Sequence, residues 1–282
     1  MSSFKGLQRC FSTKVLIAIL THSKLLSPAI LATATLLLTM MPAQAGYVPP
    51  KGGPPAEGTV AGGSRSGCEA DSELPSALLS PFYHVGQTTT PTPTLVWFVP
   101  AAQPYRIQLN VYQITPGQPI QRIYQQEHVE QTGGLGTLAL TAADIAVDNV
   151  LKPGEEYAWE MLIACDPGSI LFDEAVVSQL RIVPPSKAML TELEAASTAV
   201  ERADIYASNG YWYDAIQEGL VATEEDATTW DTVANLLTDL GQQEMEAGLS
   251  PQHGLNLREI ASELQTGEIA ILGAQQTSDS IE

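Results

Sequence analysis

The apolar period of this chain changes at Pro184-Pro185-Ser186, and the change restricts it to strands first and helices afterwards. Before the break, short β-branched and aromatic segments are separated by the turn pairs Pro116-Gly117, Gly133-Gly134 and Pro153-Gly154. Segments 95–100, 105–114, 121–130, 135–140, 157–165 and 176–183 read as strands. In the second of them Ile107, Leu109 and Val111 fall on one face and Arg106, Gln108, Asn110 and Tyr112 on the other, the period of two of a half-buried strand. Closely spaced strands joined by such turns predict an antiparallel sandwich over 68–184.

Within it, Leu151-Lys-Pro153-Gly-Glu-Glu-Tyr157-Ala-Trp159 resembles the corner before a late strand in immunoglobulin-like and fibronectin-type domains. That resemblance implies a Tyr157 hydroxyl bonded back to upstream backbone and a Trp159 packed in the core.

After the break, Leu190, Leu193, Val200, Ala203 and Tyr206 recur at spacings of three, four or seven and predict one helix face, ended by Asn209-Gly210. A second helix is expected over 211–224 and a third, capped by Thr228 or Thr229, with Trp230, Val233, Leu236, Leu237 and Leu240 on its face. A weaker segment, 255–264, adds a fourth. Ala203, Tyr206, Gly210, Ala215 and Ala222 occupy the small and aromatic places of a tetratricopeptide helical hairpin, one copy only. The expected class is therefore α+β, an immunoglobulin-like sandwich followed by a small tetratricopeptide-like helical module over 185–266, with a loosely ordered tail from 267.

Lys5, Arg9, Lys14 and Lys24 precede an uncharged, mostly apolar stretch from Leu25 to Met41, and Ala43 and Ala45 form the small-x-small pattern a signal peptidase accepts. Seventeen helical residues rise only about 25 Å, short of the roughly 30 Å hydrocarbon core, so 1–45 is expected to be a cleaved signal peptide, not an anchor. Export to the periplasm or beyond follows, with no membrane span in the mature chain. Residues 46–67, rich in Gly and Pro, read as a flexible tether. From Gly46 onward the chain carries 9 basic and 32 acidic side chains, a net charge of −23, which argues against nucleic acid and anionic lipid as partners. Cys68 and Cys165 are the two cysteines after the leader. Pairing across that span would contribute on the order of 4 kcal/mol in the chain-entropy model. A nucleophilic cysteine served by His84 or His128, or two buried thiols, are the alternatives.

The chemistry-bearing residue types stand apart from any known motif. His84, His128 and His253 are isolated in sequence, with no zinc-type pair. Asp144, Asp148, Asp166, Asp173 and Glu174 lack the alternation of a calcium loop. Gly63-Ser64-Arg65-Ser66-Gly67 misses the nucleophile-elbow register, and Gly133-Gly134-Leu135-Gly136 lacks the Lys-Ser/Thr of a phosphate loop. No catalytic residue, metal or cofactor is assigned. Tyr211-Trp212-Tyr213-Asp214 is the candidate partner surface, because three adjacent aromatics rotated by about 100° each cannot all face one core. The competing reading is that they weld the helices to the sandwich.

Four landmarks in order resemble a family of exported cyanobacterial proteins catalogued as domain of unknown function family 928. They are Gly62, Gly63, Arg65 and Cys68; Pro93, Thr94, Trp97, Phe98 and Pro100; the Leu151–Trp159 corner followed by Cys165 and Asp166; and Tyr206, Ala207, Gly210, Trp212, Tyr213, Asp214 and Ala215. The resemblance covers about residues 62–240 and implies export and a two-part architecture, but no activity. A non-enzymatic envelope protein working through protein–protein contact is the leading expectation. A polysaccharide-binding or hydrolysing protein using carboxylates on the sandwich loops is the alternative.

Overall fold

The computed structural model describes residues 46–51, 68, 74–100, 104–141, 151–225, 230–267 and 269, without the side chains of 127–130. Expectations for 1–45, 52–67, the Thr228/Thr229 cap, Asp144, Asp148 and the His128 side chain fall outside that set.

Eight strands and five helices occupy the described residues: β1 Ala77–Leu78, β2 Gly86–Thr88, β3 Thr94–Val99, β4 Tyr105–Ile114, β5 Gln121–Gln131, β6 Gly134–Ala139, β7 Glu156–Ala164 and β8 Glu174–Ile182, then α1 Lys187–Ala195, α2 Ala199–Ser208, α3 Trp212–Glu225, α4 Asp231–Ala247 and α5 Pro251–Thr266. The class is mixed α+β. One sheet has the order β1-β3-β6 and the other β2-β8-β7-β4-β5, with β2–β8 the one parallel pair among them. The six anticipated strands are present with ends shifted by a residue or two. β4 keeps its alternation, with Tyr105, Ile107, Leu109 and Val111 buried. Asn110 breaks that pattern and is buried too, its amide donating to Glu160 at 2.9 Å.

Packing at the β3–β6 pair shows why a glycine is needed there. Gly136 lies opposite Trp97, and a Cβ at 136 would run into the indole. The indole N–H donates to Gln131 at 2.9 Å, and Gln131 in turn donates to the Gly134 carbonyl at 2.9 Å, so the buried polar groups of this tight corner are satisfied. The anticipated corner geometry also forms: the Lys152 N–H donates to the Tyr157 hydroxyl at 2.8 Å, and Trp159 is fully buried. Cys68 and Cys165 are joined in a disulfide.

The helical part departs from expectation in three places. The single helix expected to end at Asn209-Gly210 is two, α1 and α2, broken at Ala196–Thr198. Thr198 and Glu201 form a reciprocal capping box that starts α2 afresh. The break turns Leu190 and Val200 out to solvent, at 44% and 42% exposure; Ala203 is buried as expected, and Met189, Ala199 and Ala207 are buried beside it. Helix α5 is also longer than the segment expected, and its Gly254 packs against Gly241 of α4 so closely that a Cβ at 241 would lie 2.6 Å from the Gly254 carbonyl. The third departure is at the ends: Ile269, in the stretch read as loose tail, is buried, and so is Tyr47, in the stretch read as tether.

Strands and helices share one hydrophobic core, running from Leu95, Trp97, Ile107 and Trp159 to Trp212, Ile216, Leu237 and Leu257. Fully burying side chains of this size is worth about 1.5–3 kcal/mol each relative to exposure.

Candidate functional site

The first turn of α3 determines what lies between helices and strands. Gly210 has φ 85°, which lets α2 stop and α3 begin at once, and Val48 and Pro50 press against it. The next four residues then enter a crevice lined on every side. Tyr211 donates to the Pro184 carbonyl at 3.2 Å, and the Trp212 indole donates to the Leu79 carbonyl at 2.9 Å with the Tyr47 ring edge-on at 5.0 Å. Tyr213 accepts from the Trp159 indole at 2.9 Å. Its phenol is pushed up to about 12 by burial.

Exposures of 7%, 0%, 1% and 6% for Tyr211, Trp212, Tyr213 and Asp214 remove this segment as a partner surface. The three aromatics do point in different directions, but the helix start is inserted as a wedge, so each direction meets a different wall of this same chain. The segment is the weld between helices and sheets.

Asp214 holds the β2–β3 loop. Its carboxylate accepts from the Thr89 N–H at 2.9 Å and the Thr89 hydroxyl at 2.5 Å. Burial raises its pKa to about 6, against the opposing pull of those bonds. One turn further, Glu218 pairs with Arg202 of α2 at 2.8 Å. With Thr90, Thr92, Tyr206 and Gln217 these groups line a small cleft of about 180 Å³. Both Asp214 oxygens are occupied by Thr89, and Gln217 accepts from Thr94 at 3.2 Å, so the lining is a set of hydroxyls, an amide and an aromatic edge rather than a free acid–base pair.

A second polar group is buried where the segment 79–85 meets α4 and α5. Glu244 accepts from the Phe82 and Tyr83 N–H groups at 2.5 and 3.1 Å through Oε1, while its Oε2 has no partner among the described residues. Burial lifts its pKa to about 7. His84 bonds the Tyr47 hydroxyl at 2.7 Å, and His253 faces the Ser80 carbonyl at 3.0 Å while stacked on Phe82 at 3.7 Å between centroids. Burial keeps both rings neutral, holding His84 down to about 3 and His253 to about 4. Each histidine is thus a hydrogen-bonded core residue. None of these contacts was legible in the sequence, because each joins residues far apart in the chain.

Cys68, Cys165 and Glu174 bring three ligand-type side chains together, but the two sulfurs are bonded to each other. Glu174 accepts the Cys68 N–H at 2.8 Å. Asp166 and Asp173 likewise accept the N–H groups of Gly168 and Cys165, both at 2.9 Å, and so hold the β7–β8 connection. That connection carries Ile170 and Leu171, exposed by 91% and 70%.

Fold and site together define a disulfide-linked α+β protein whose buried carboxylates hold loops in place. The chain belongs to the family Domain of Unknown Function (DUF928), whose profile matches residues 60–248. No curated protein matches it. Among the described residues no helix is long and apolar enough to cross a membrane.

Proposed function

We propose that this is an exported, non-enzymatic envelope protein that works through protein–protein contact, and that its contact surface is the tip between β7 and β8. The observation that supports this is the pair Ile170 and Leu171, two large apolar side chains side by side in water. The loop under them is built to hold its shape. Ser169 donates its N–H to the Asp166 carbonyl at 2.9 Å, Leu171 donates to the Ser169 hydroxyl at 3.1 Å, and Arg106 reaches the Ser169 carbonyl while lying over the Phe172 ring. The disulfide anchors the loop's first strand. Asp166 and Asp173 flank the tip, and the net charge after the leader is −23, so the fitting partner has an apolar pocket rimmed by basic side chains.

Export is supported by the leader pattern of residues 1–45 and by the disulfide, a bond that persists in oxidising compartments. The finer fold reading, an immunoglobulin-like sandwich bearing a tetratricopeptide-like hairpin, draws support from the Tyr157 corner and from Ala203, Gly210 and Ala215, three of the hairpin's small positions, all buried. A second reading, capture of a neutral glycan, is favoured by the hydroxyl-rich cleft at Thr89–Gln217, which at about 180 Å³ has room for little more than one sugar ring.

Crosslinking in the native envelope followed by mass spectrometry separates these. The Ile170→Ser, Leu171→Ser double variant should fold normally and lose a specific basic partner. Retention of that partner, or capture of wall glycan that depends on Gln217 instead, would overturn the tip as the working surface.

A further inference from the structure

The strap Gly46–Lys51 is held far more firmly than its composition suggests. Tyr47 donates its N–H to Asp239 Oδ2 at 3.2 Å, and Gln243 donates to the Tyr47 carbonyl at 2.5 Å. The Tyr47 hydroxyl bonds His84 at 2.7 Å, and the Val48 N–H donates to the Ala207 carbonyl at 3.0 Å. Tyr47 is 2% exposed, whereas Gly46, one residue earlier, is open to solvent.

Asp239 lies against the backbone of Gly46 itself. A Cβ on Gly46 would stand 2.8 Å from Asp239 Oδ2 and 3.7 Å from Oδ1. The Gly46 nitrogen is attached to the same Cα at about 1.46 Å, so rotation about one backbone bond brings it within ion-pair distance of the carboxylate. Among the described residues Asp239 has no Lys or Arg partner. While Ala45 is attached, that nitrogen is a neutral amide. The small-x-small pattern at Ala43 and Ala45 places the cut at the bond preceding Gly46. Hydrolysis there breaks the Ala45–Gly46 C–N bond and adds water, leaving a carboxylate on Ala45 and an amine on Gly46 that takes up a proton near neutral pH.

We infer that Asp239 is the receptor for the α-ammonium group created at Gly46 by removal of the leader, so that processing itself fastens the strap onto α4. This rests on the cleavage position put forward above. The cation adds an ion pair that the precursor, whose Gly46 nitrogen is a neutral amide, cannot make. Among the described residues the titratable groups acting on the adjoining Tyr47 are Tyr83, Tyr213 and Glu244, with His84 bonded to its hydroxyl; burial keeps His84 neutral and the phenols protonated, and Glu244 once ionised adds to the attraction. A free α-amine has a pKa of about 7.7–8.0. Pairing raises the folded-state value, so the gain in stability is present below that range and fades as pH rises through the raised value.

The test uses the exported protein made from its full precursor. Intact mass is read first, then the pH titration of the Gly46 α-proton by NMR, then thermal unfolding at pH 6.5. Two variants accompany it: Asp239→Asn, which keeps an acceptor for the Tyr47 N–H, and insertion of two serines between Ala45 and Gly46, which moves the ammonium away. A mass beginning at Gly46, an amine pKa raised about tenfold in proton affinity and returned to the ordinary range by Asp239→Asn, and non-additive losses when the variants are combined are the expected results. A mass with a different start would overturn the cleavage position. The correct mass with an ordinary amine pKa, or with additive variants, would overturn Asp239 as receptor while leaving the cleavage intact.

Discussion

Glu244 should leave this chain close in stability to its glutamine variant in mild acid and less stable than that variant in mild base. Its side chain is wholly enclosed, Oε1 accepts two backbone N–H groups, and Oε2 has no partner among the described residues. Burial raises its pKa from 4.5 to about 7. Every tenfold change in proton affinity corresponds to about 1.36 kcal/mol, so ionising the group in the folded state removes on the order of 3 kcal/mol. The sign follows from a folded pKa above the unfolded one: the folded state binds the proton more tightly, and stability falls as pH climbs from about 4.5 through 7. Glu244→Gln keeps the Oε1 acceptor and cannot ionise. It leaves a buried amide N–H₂ unpaired at a cost of about 1–3 kcal/mol, much as the protonated carboxyl leaves its O–H. Wild type and variant should therefore lie within about 1 kcal/mol of each other at pH 4.5, and the variant should be the more stable by roughly 1–3 kcal/mol at pH 8. Comparing the two proteins is essential, because His84 and His253 act in the opposite sense. Their lowered pKa values withdraw stability as pH falls below about 6.5, and so partly mask the carboxylates in the wild-type curve alone. Urea unfolding followed by tryptophan fluorescence at pH 4.5, 6 and 8 supplies the numbers. A variant that is less stable than wild type by the same amount at every pH would refute the reasoning, since it would mean that Glu244 is not held protonated.

Two further expectations follow from the packing. Reducing the Cys68–Cys165 bond, or replacing both cysteines by Ala, should lower stability by up to about 4 kcal/mol, read as a drop in unfolding midpoint; an unchanged midpoint would show that the loop it closes is constrained by other contacts. Gly136→Ala forces a methyl into the Trp97 indole and should cost about 1–3 kcal/mol with a shift in tryptophan emission, whereas no change in either would mean that the β3–β6 pair opens without penalty.

The strands were legible because β4 and its neighbours are half-buried, and a half-buried strand writes its environment into every second residue. β1 and β2, with two and three residues, are too short to carry a period. The break between α1 and α2 was in fact written locally: Thr198-x-x-Glu201 is the start signal of a new helix, and an apparently continuous apolar spacing from Leu190 to Tyr206 concealed it. At the junction the limit was different. Thr89 with Asp214, Phe82 with Glu244 and Tyr47 with Asp239 are separated by 125, 162 and 192 residues, and nothing in either partner names the other. Tyr47 was the one hint, a lone aromatic in a stretch rich in Gly and Pro.

The insertion of Trp212 beneath Leu79, with Tyr213 against Trp159, has a consequence for how the chain comes apart. Amide protons of α3 and β7 should exchange with solvent at similar rates, because opening one exposes the aromatic face of the other. Proteases are then offered the surface loops but no stable fragment, and a cut near Pro184 should lead to global loss of structure rather than to two surviving halves.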